Sequence, residues 1–211
     1  EKYAKRAWKS LKAAINFSDW EPGMGLSISE MTAGVALGYD WLYDYLNETQ
    51  REKIRKAIIN KGLKPMKKAY DYIFHNGPQP SIPHKERKTN SKFGRYGWIN
   101  CNSNWNFVCN GGAGMGALAI LSGNLGYGKQ IILDTLKSLP KALKEFAPDG
   151  GWAEGPNYWR YSVMNLCQYM MSLETSLGSS FGIENYPGLA KTVDFIIHTV
   201  GPSGKDFNYG D

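Results

Sequence analysis

The chain has 211 residues, 42% hydrophobic and 21% charged, an ordinary balance for one globular domain with a full core, and it holds no apolar run near the roughly 20 residues of a membrane helix. Cys101, Cys109 and Cys167 are an odd count without a CxxC pair, which argues against a disulfide framework and against a cysteine-rich zinc site. The net charge of +6 is uneven, with eighteen basic against ten acidic side chains over residues 1–100 and seven against nine thereafter. The basic half suits an acidic partner such as nucleic acid, anionic lipid or acidic polysaccharide; a lysine-coated solvent face is the plainer reading.

Helical periodicity opens the chain. Ala4, Ala7, Trp8, Leu11 and Ala14 recur at three- and four-residue spacing over 3–15, with Lys5, Lys9 and Lys12 on the other side. Residues 28–46 read as an apolar helix through Ile28, Met31, Val35 and Leu42. The run Asn47-Glu-Thr-Gln-Arg reads as a turn and N-cap opening a charged helix over 48–62, followed by another over 64–74. From Asn76 to Trp98, Pro78, Pro80 and Pro83 and the segment "HKERKTNSKFGRYGW" predict a long exposed loop, a feature usually functional or disordered in compact domains. Helical patterns resume over 104–122, 128–146, 158–178 and 187–200. Roughly seven helices in adjacent pairs, with little strand signal and no fixed repeat, predict an all-α array of antiparallel hairpins. The run "PSGKDFNYGD" leaves the helical regime as the sequence stops, so a single helical domain, 1–211, belonging to a longer chain is expected.

Two stretches have the residues for chemistry. In "NCNSNWNFVCNGGAGMGAL" five Asn surround Trp105, and Asn amides both donate and accept without charge, which suits sugar hydroxyls and carboxylates; capping and turn formation use the same residues. Gly112 to Gly116 lacks the preceding strand, the lysine and the spacing of a phosphate loop, so close helix packing explains it better. In "PDGGWAEGPNYWRYS" two Trp, two Tyr, a Glu and an Arg crowd a turn between helices. Asp149 and Glu154 are the residue types of a glycosidase acid/base pair. Tyr158 and Tyr161 share a helical face, Arg160 has the charge to lower a phenol's pKa, and Trp152 and Trp159 are flat enough to stack on sugar rings. A buried aromatic turn with Glu154 capping the next helix is the structural alternative. His75, His84 and His198 match no metal spacing, so neither a metal nor another cofactor is expected, and His84 in the basic loop is a weak ligand-binding candidate.

Taken in order, "ALGYDWLYDYLNETQREKI" (36–54), "NWNFVCNGGAGMGALAI" (104–120), "DGGWAEGPNYWRYS" (149–162) and "GPSGKDFNYGD" (201–211) resemble the helical domain of the heparinase II/III-like polysaccharide lyases. The resemblance spans nearly the whole chain and rests on the ordered set more than on any one segment. It implies an incomplete (α/α) toroid of helical hairpins, a C-terminal antiparallel β-sheet domain beyond this sequence, and a periplasmic or secreted location. It also implies cleavage of a uronate-containing polysaccharide by β-elimination, in which an Asn or His neutralises the uronate carboxylate and a Tyr moves protons. On this chain it points to Asn104, with Asn106 second, as neutraliser, to Tyr158, with Tyr161 in reserve, as acid/base, and to Glu154 as orienting or hydroxyl-binding. Arg95, Trp105, Trp152, Trp159 and Arg160 would line the groove. A further His that the family supplies from its sheet region has no counterpart here. The partners expected are an acidic polysaccharide, the β-sheet domain and a second copy of the chain, with no nucleic acid or membrane.

Overall fold

The computed structural model describes residues 1–77, 96–207 and 209, and their regular structure is helical. Among them the chain forms α1 (Lys2–Asn16), α2 (Gly25–Trp41), α3 (Glu48–Ala57), α4 (Lys64–Phe74), α5 (Asn104–Ala119), α6 (Leu125–Ser138), α7 (Pro140–Leu143), α8 (Pro156–Leu177) and α9 (Thr192–Thr199). The described residues include no strand, only one antiparallel bridge between Val200 and Asp206. The all-α expectation holds, and no helix among the described residues is long and apolar enough to cross a membrane.

Local chemistry sets the boundaries. Asn47 starts α3 through a reciprocal capping box: its side chain accepts from the Gln50 amide at 3.0 Å, and its own amide donates to the Gln50 side chain at 2.9 Å. A π-helical stretch, Ile58–Leu63, carries α3 into α4 without a break. The helix expected over 128–146 is divided, because Pro140 has no N–H for the preceding turn; it sits at the start of α7 instead.

The core is organised around α5. Gly25 lies against Cys109, Ser29 against Gly112 and Thr32 against Gly116, so α2 runs parallel to α5. Gly111 meets Asn165 and Gly114 meets the Tyr169 ring, so α8 also runs parallel to α5, on its other side. The connected helix α6 runs back, with Gly128 beside Ala117 and Ser138 beside Asn106 and Asn110. Three helix N-termini, those of α2, α5 and α8, therefore lie at one end of the bundle. The glycines make this approach possible: a Cβ on Gly112 would overlap the Ser29 carbonyl, and one on Gly114 would overlap the Tyr169 ring.

Two polar systems thread this core. Tyr70 donates to Asn110 Oδ1 at 2.7 Å, and Asn110 Nδ2 donates to the Asn106 carbonyl at 2.7 Å and to Ser138 Oγ at 2.9 Å. Ser138 then donates to the Ile99 carbonyl at 2.7 Å, so this set ties α4, α5, α6 and the 97–99 turn together. Elsewhere His75 Nε2 meets the buried carboxylate of Asp134 at 2.7 Å and joins α4 to α6.

Candidate functional site

The loop between α7 and α8 brings its residues onto the N-terminal end of α5. Glu154 accepts from the Asn104 backbone amide at 2.6 Å through one carboxylate oxygen and from Asn104 Nδ2 at 2.8 Å through the other. Ser103, the residue preceding α5, makes no side-chain cap, so Glu154 does this work from a distant part of the sequence. A carboxylate here meets both an unpaired N–H and the positive end of the helix dipole. Asn104 is only 3% exposed, and its Oδ1 is buried without a hydrogen-bond partner among the described residues. Among the described residues Glu154 alone hydrogen-bonds this amide.

Gly155 follows with φ near 89°, a left-handed conformation that glycine adopts without strain. A Cβ at Gly155 would strike the Tyr209 carbonyl, and Tyr209 Oη donates to the Trp152 carbonyl at 3.1 Å. The chain after α9 therefore lies directly over the start of α8. Pro156 then occupies the first position of α8, where its missing N–H costs nothing.

Tyr158 stands on the first turn of α8, half-buried against the core, with no hydrogen bond to its hydroxyl among the described residues. Tyr161, one turn on, donates to Glu30 of α2. Burial, and then the Glu30 carboxylate, push the Tyr161 phenol well above the usual range. The two tyrosines that the sequence leaves equivalent are therefore distinct: one hydroxyl is bound to Glu30, and the other bonds nothing among the described residues.

The remaining candidates fall into two groups. Trp105 and Trp159 are half-buried at this end, and Trp159 Nε1 donates to Thr192 Oγ1 at 2.7 Å. Arg160 is 51% exposed and paired with Asp206, with a weaker contact to Asn157 at 3.4 Å. Asn106 and Trp152, by contrast, lie inside the core. Asn106 Nδ2 is engaged by the Trp98 carbonyl and Ser138 Oγ, each at 3.1 Å. Trp152 is 2% exposed and packs with Phe107 and Phe146 at ring-centre distances of 5.5 and 5.0 Å, so it fills the core and offers no sugar platform. Arg95 and His84 lie outside the described residues.

Sequence reasoning missed Glu30, because nothing local links it to a tyrosine on another helix. It also missed the His75–Asp134 pair, visible only when α4 and α6 are set side by side. Among the described residues no three His, Cys, Asp or Glu side chains converge as a metal site would require. The chain matches no family model and no curated protein.

Proposed function

We propose that this chain is the helical part of a polysaccharide lyase acting on uronate-containing glycans, its helices forming an incomplete (α/α) toroid with α2, α5 and α8 as the inner layer. The observation that carries the reading is the arrangement at the head of that layer. An oriented Asn amide at the head of α5 is held by the Glu154 carboxylate, and Tyr158, whose hydroxyl bonds nothing among the described residues, follows four residues after Glu154 on the first turn of α8.

In this mechanism Asn104 Nδ2 donates one hydrogen to Glu154, and substrate binding uncovers the buried amide, 3% exposed in the free chain, so that its second hydrogen meets a uronate carboxylate oxygen. The Tyr158 oxygen takes the C5 proton as its own proton passes to water. The electron pair moves into the carboxylate to give an enolate-like anion, which the Asn104 amide stabilises. Collapse of that anion forms the C4–C5 double bond and breaks the bond from C4 to the glycosidic oxygen, which Tyr158 reprotonates. Glu154 is a positioning residue, since both its oxygens already accept hydrogen bonds from Asn104. A periplasmic or secreted location and a β-sheet partner domain belong to this reading.

A glycan-binding module without catalysis is the second reading, favoured by the commitment of the Asn104 amide to Glu154. Hydrolysis by Asp149 and Glu154 finds less support: Asp149 Oδ1 accepts from the Gly151 amide at 3.2 Å, whereas Glu154 is turned onto α5.

Elimination leaves a conjugated double bond in the uronate, which hydrolysis does not. Ultraviolet absorbance during incubation with heparin, heparan sulfate, chondroitin, hyaluronan and alginate is expected to rise with at least one substrate. Reducing ends without that rise move the function to hydrolysis, and binding without either product moves it to the non-catalytic module.

A further inference from the structure

An anionic glycan needs cations, and the described site offers few: Arg160 is already paired with Asp206, while Glu30 and Glu154 add negative charge. Unpaired cations do occur next door. A depression of about 420 Å³ opens beside the same loop, lined by Asp149, Gly151, Lys191, Asp194, Phe195 and His198. It adjoins a second of about 350 Å³, which shares His198 and Thr199 and runs on past Lys205 to Phe207. Sharing those two residues, the two shallow depressions adjoin along α9, the first of them beside Asp149 and Gly151 of the 149–155 loop.

The helix beside these depressions is fixed at its start. Thr192 Oγ1 donates to the Gly150 carbonyl at 2.8 Å and accepts from Trp159 Nε1 at 2.7 Å. Gly150, with φ near 88°, presses so closely on Thr192 that a Cβ would overlap the backbone there. The start of α9 is therefore locked to the 149–155 loop and to α8.

The exposed wall is chemically mixed. Lys191, which immediately precedes α9, and Asp194 and His198 on it stand three and four residues apart and so lie on one side, with the Phe195 ring beside them. Lys191, His198 and Lys205 have no ion-pair partner among the described residues. Cations without partners, a carboxylate and an imidazole for hydroxyls, and a half-buried ring together suit a carbohydrate bearing negative charge.

We propose that the α9 groove binds a short stretch of acidic oligosaccharide, with Lys191 and Lys205 meeting its anionic groups, Asp194 and His198 its hydroxyls, and Phe195 a ring face. This inference rests on the glycan reading of the adjoining site, and it adds a distinct contact region that governs affinity and leaves the chemical step alone.

The test compares the wild-type chain with Lys191→Gln/Lys205→Gln, and with Lys9→Gln/Lys12→Gln on exposed α1 as a control for the same loss of charge. Binding of hexasaccharides from heparan sulfate, chondroitin, hyaluronan and alginate, and of neutral maltohexaose, is measured by calorimetry. Turnover of the parent polysaccharides is followed by absorbance. The groove variant is expected to lose at least about tenfold in affinity for the acidic hexasaccharide that binds, the loss of two charge-assisted contacts, while the α1 variant stays near wild type. Where turnover occurs, KM rises in the groove variant and kcat is kept.

Wild-type affinity and KM in the groove variant overturn the inference even if elimination occurs. An equal loss in the α1 variant overturns it too, since net charge alone then explains the binding. Loss of binding in the groove variant, with no unsaturated product from any chain, upholds the groove and removes the lyase. Failure of the wild type to bind any acidic hexasaccharide overturns the groove whatever the turnover.

Discussion

Glu154 caps a helix that begins fifty residues before it: its two carboxylate oxygens take the backbone and side-chain N–H groups of Asn104, the first residue of α5. One contact thus starts the central helix, orients a buried amide and anchors the loop leading into α8. Replacing Glu154 with Ala leaves a helix-terminal N–H unpaired and frees the amide to rotate. We expect a loss of about 1–3 kcal/mol in urea unfolding, the range of a lost cap with a buried donor. Glu154→Gln keeps one acceptor but sets an NH₂ group against a donor, so it should recover only part of that loss. Wild-type stability in Glu154→Ala would remove the carboxylate from the fold's essentials.

Tyr158 and Tyr161 separate by experiment because they differ in their partners. Tyr158→Phe removes a hydroxyl that bonds nothing described, so folding stability should change little while elimination falls at least about a hundredfold, the lower range for lost acid/base catalysis. Tyr161→Phe removes the hydroxyl bound to Glu30 and should cost stability, with a smaller effect on turnover. Absorbance assays beside urea melts check both. Near-wild-type turnover in Tyr158→Phe would take that residue out of the mechanism.

Asp134 is 2% exposed, and its partner His75 is more open to water. One oxygen meets the imidazole, while the other is buried without a partner among the described residues. Among the described residues, removing His75 leaves the carboxylate with only a long contact to Gln130, at 3.4 Å. His75→Ala should therefore destabilise by about 1–3 kcal/mol. In an Asp134→Asn background, where no buried charge remains, the same substitution should cost less. A double-mutant cycle measures the difference, expected at about 0.5–3 kcal/mol for groups in contact; simple additivity would refute the coupling.

Much of the helix layout is legible in the sequence because helix formation is local. The three- and four-residue spacing of Ala4, Trp8 and Leu11 marks α1, and Asn47 with Gln50 marks the start of α3. The glycines of α5 read correctly as packing residues, since no phosphate-loop context surrounds them. The site is less legible, because its decisive contacts join residues far apart in the chain. Nothing beside Ser103 announces that its helix is capped by Glu154, and nothing beside Tyr161 announces Glu30. Composition misleads at Asn106 and Trp152, whose residue types suit a sugar groove: one braces the 97–99 turn against α6, and the other fills the core between Phe107 and Phe146. An amide or an indole serves a ligand and a core equally well, and only the packing of α5 against its neighbours decides which.

The same burial makes the protein sensitive to alkali. Burial holds the phenols of Tyr70, Tyr169 and Tyr161 above their ordinary range, moves Tyr127 up to about 12, and raises the Cys109 thiol as well. These groups keep their protons in the folded chain at pH values where the unfolded chain has lost them, so the native state binds more protons and stability falls as pH rises. The stabilising difference is fully present below the unfolded values, about 8.5 for a thiol and about 10 for a phenol. Above them, the fully buried Tyr70, Tyr169 and Cys109 each subtract about 1.4 kcal/mol per pH unit until the folded value is reached, and the half-buried Tyr161 and Tyr127 subtract less because water screens them. Urea midpoints should be flat from about pH 7 to 8 and drop steeply beyond about pH 10, with late phenolate absorbance appearing only on unfolding. Tyr161→Phe removes one of these groups and should make the decline shallower. A midpoint that stays level through about pH 11 would mean that these side chains reach water in the folded chain, and the closely packed interface of α2, α5 and α8 would have to be redrawn.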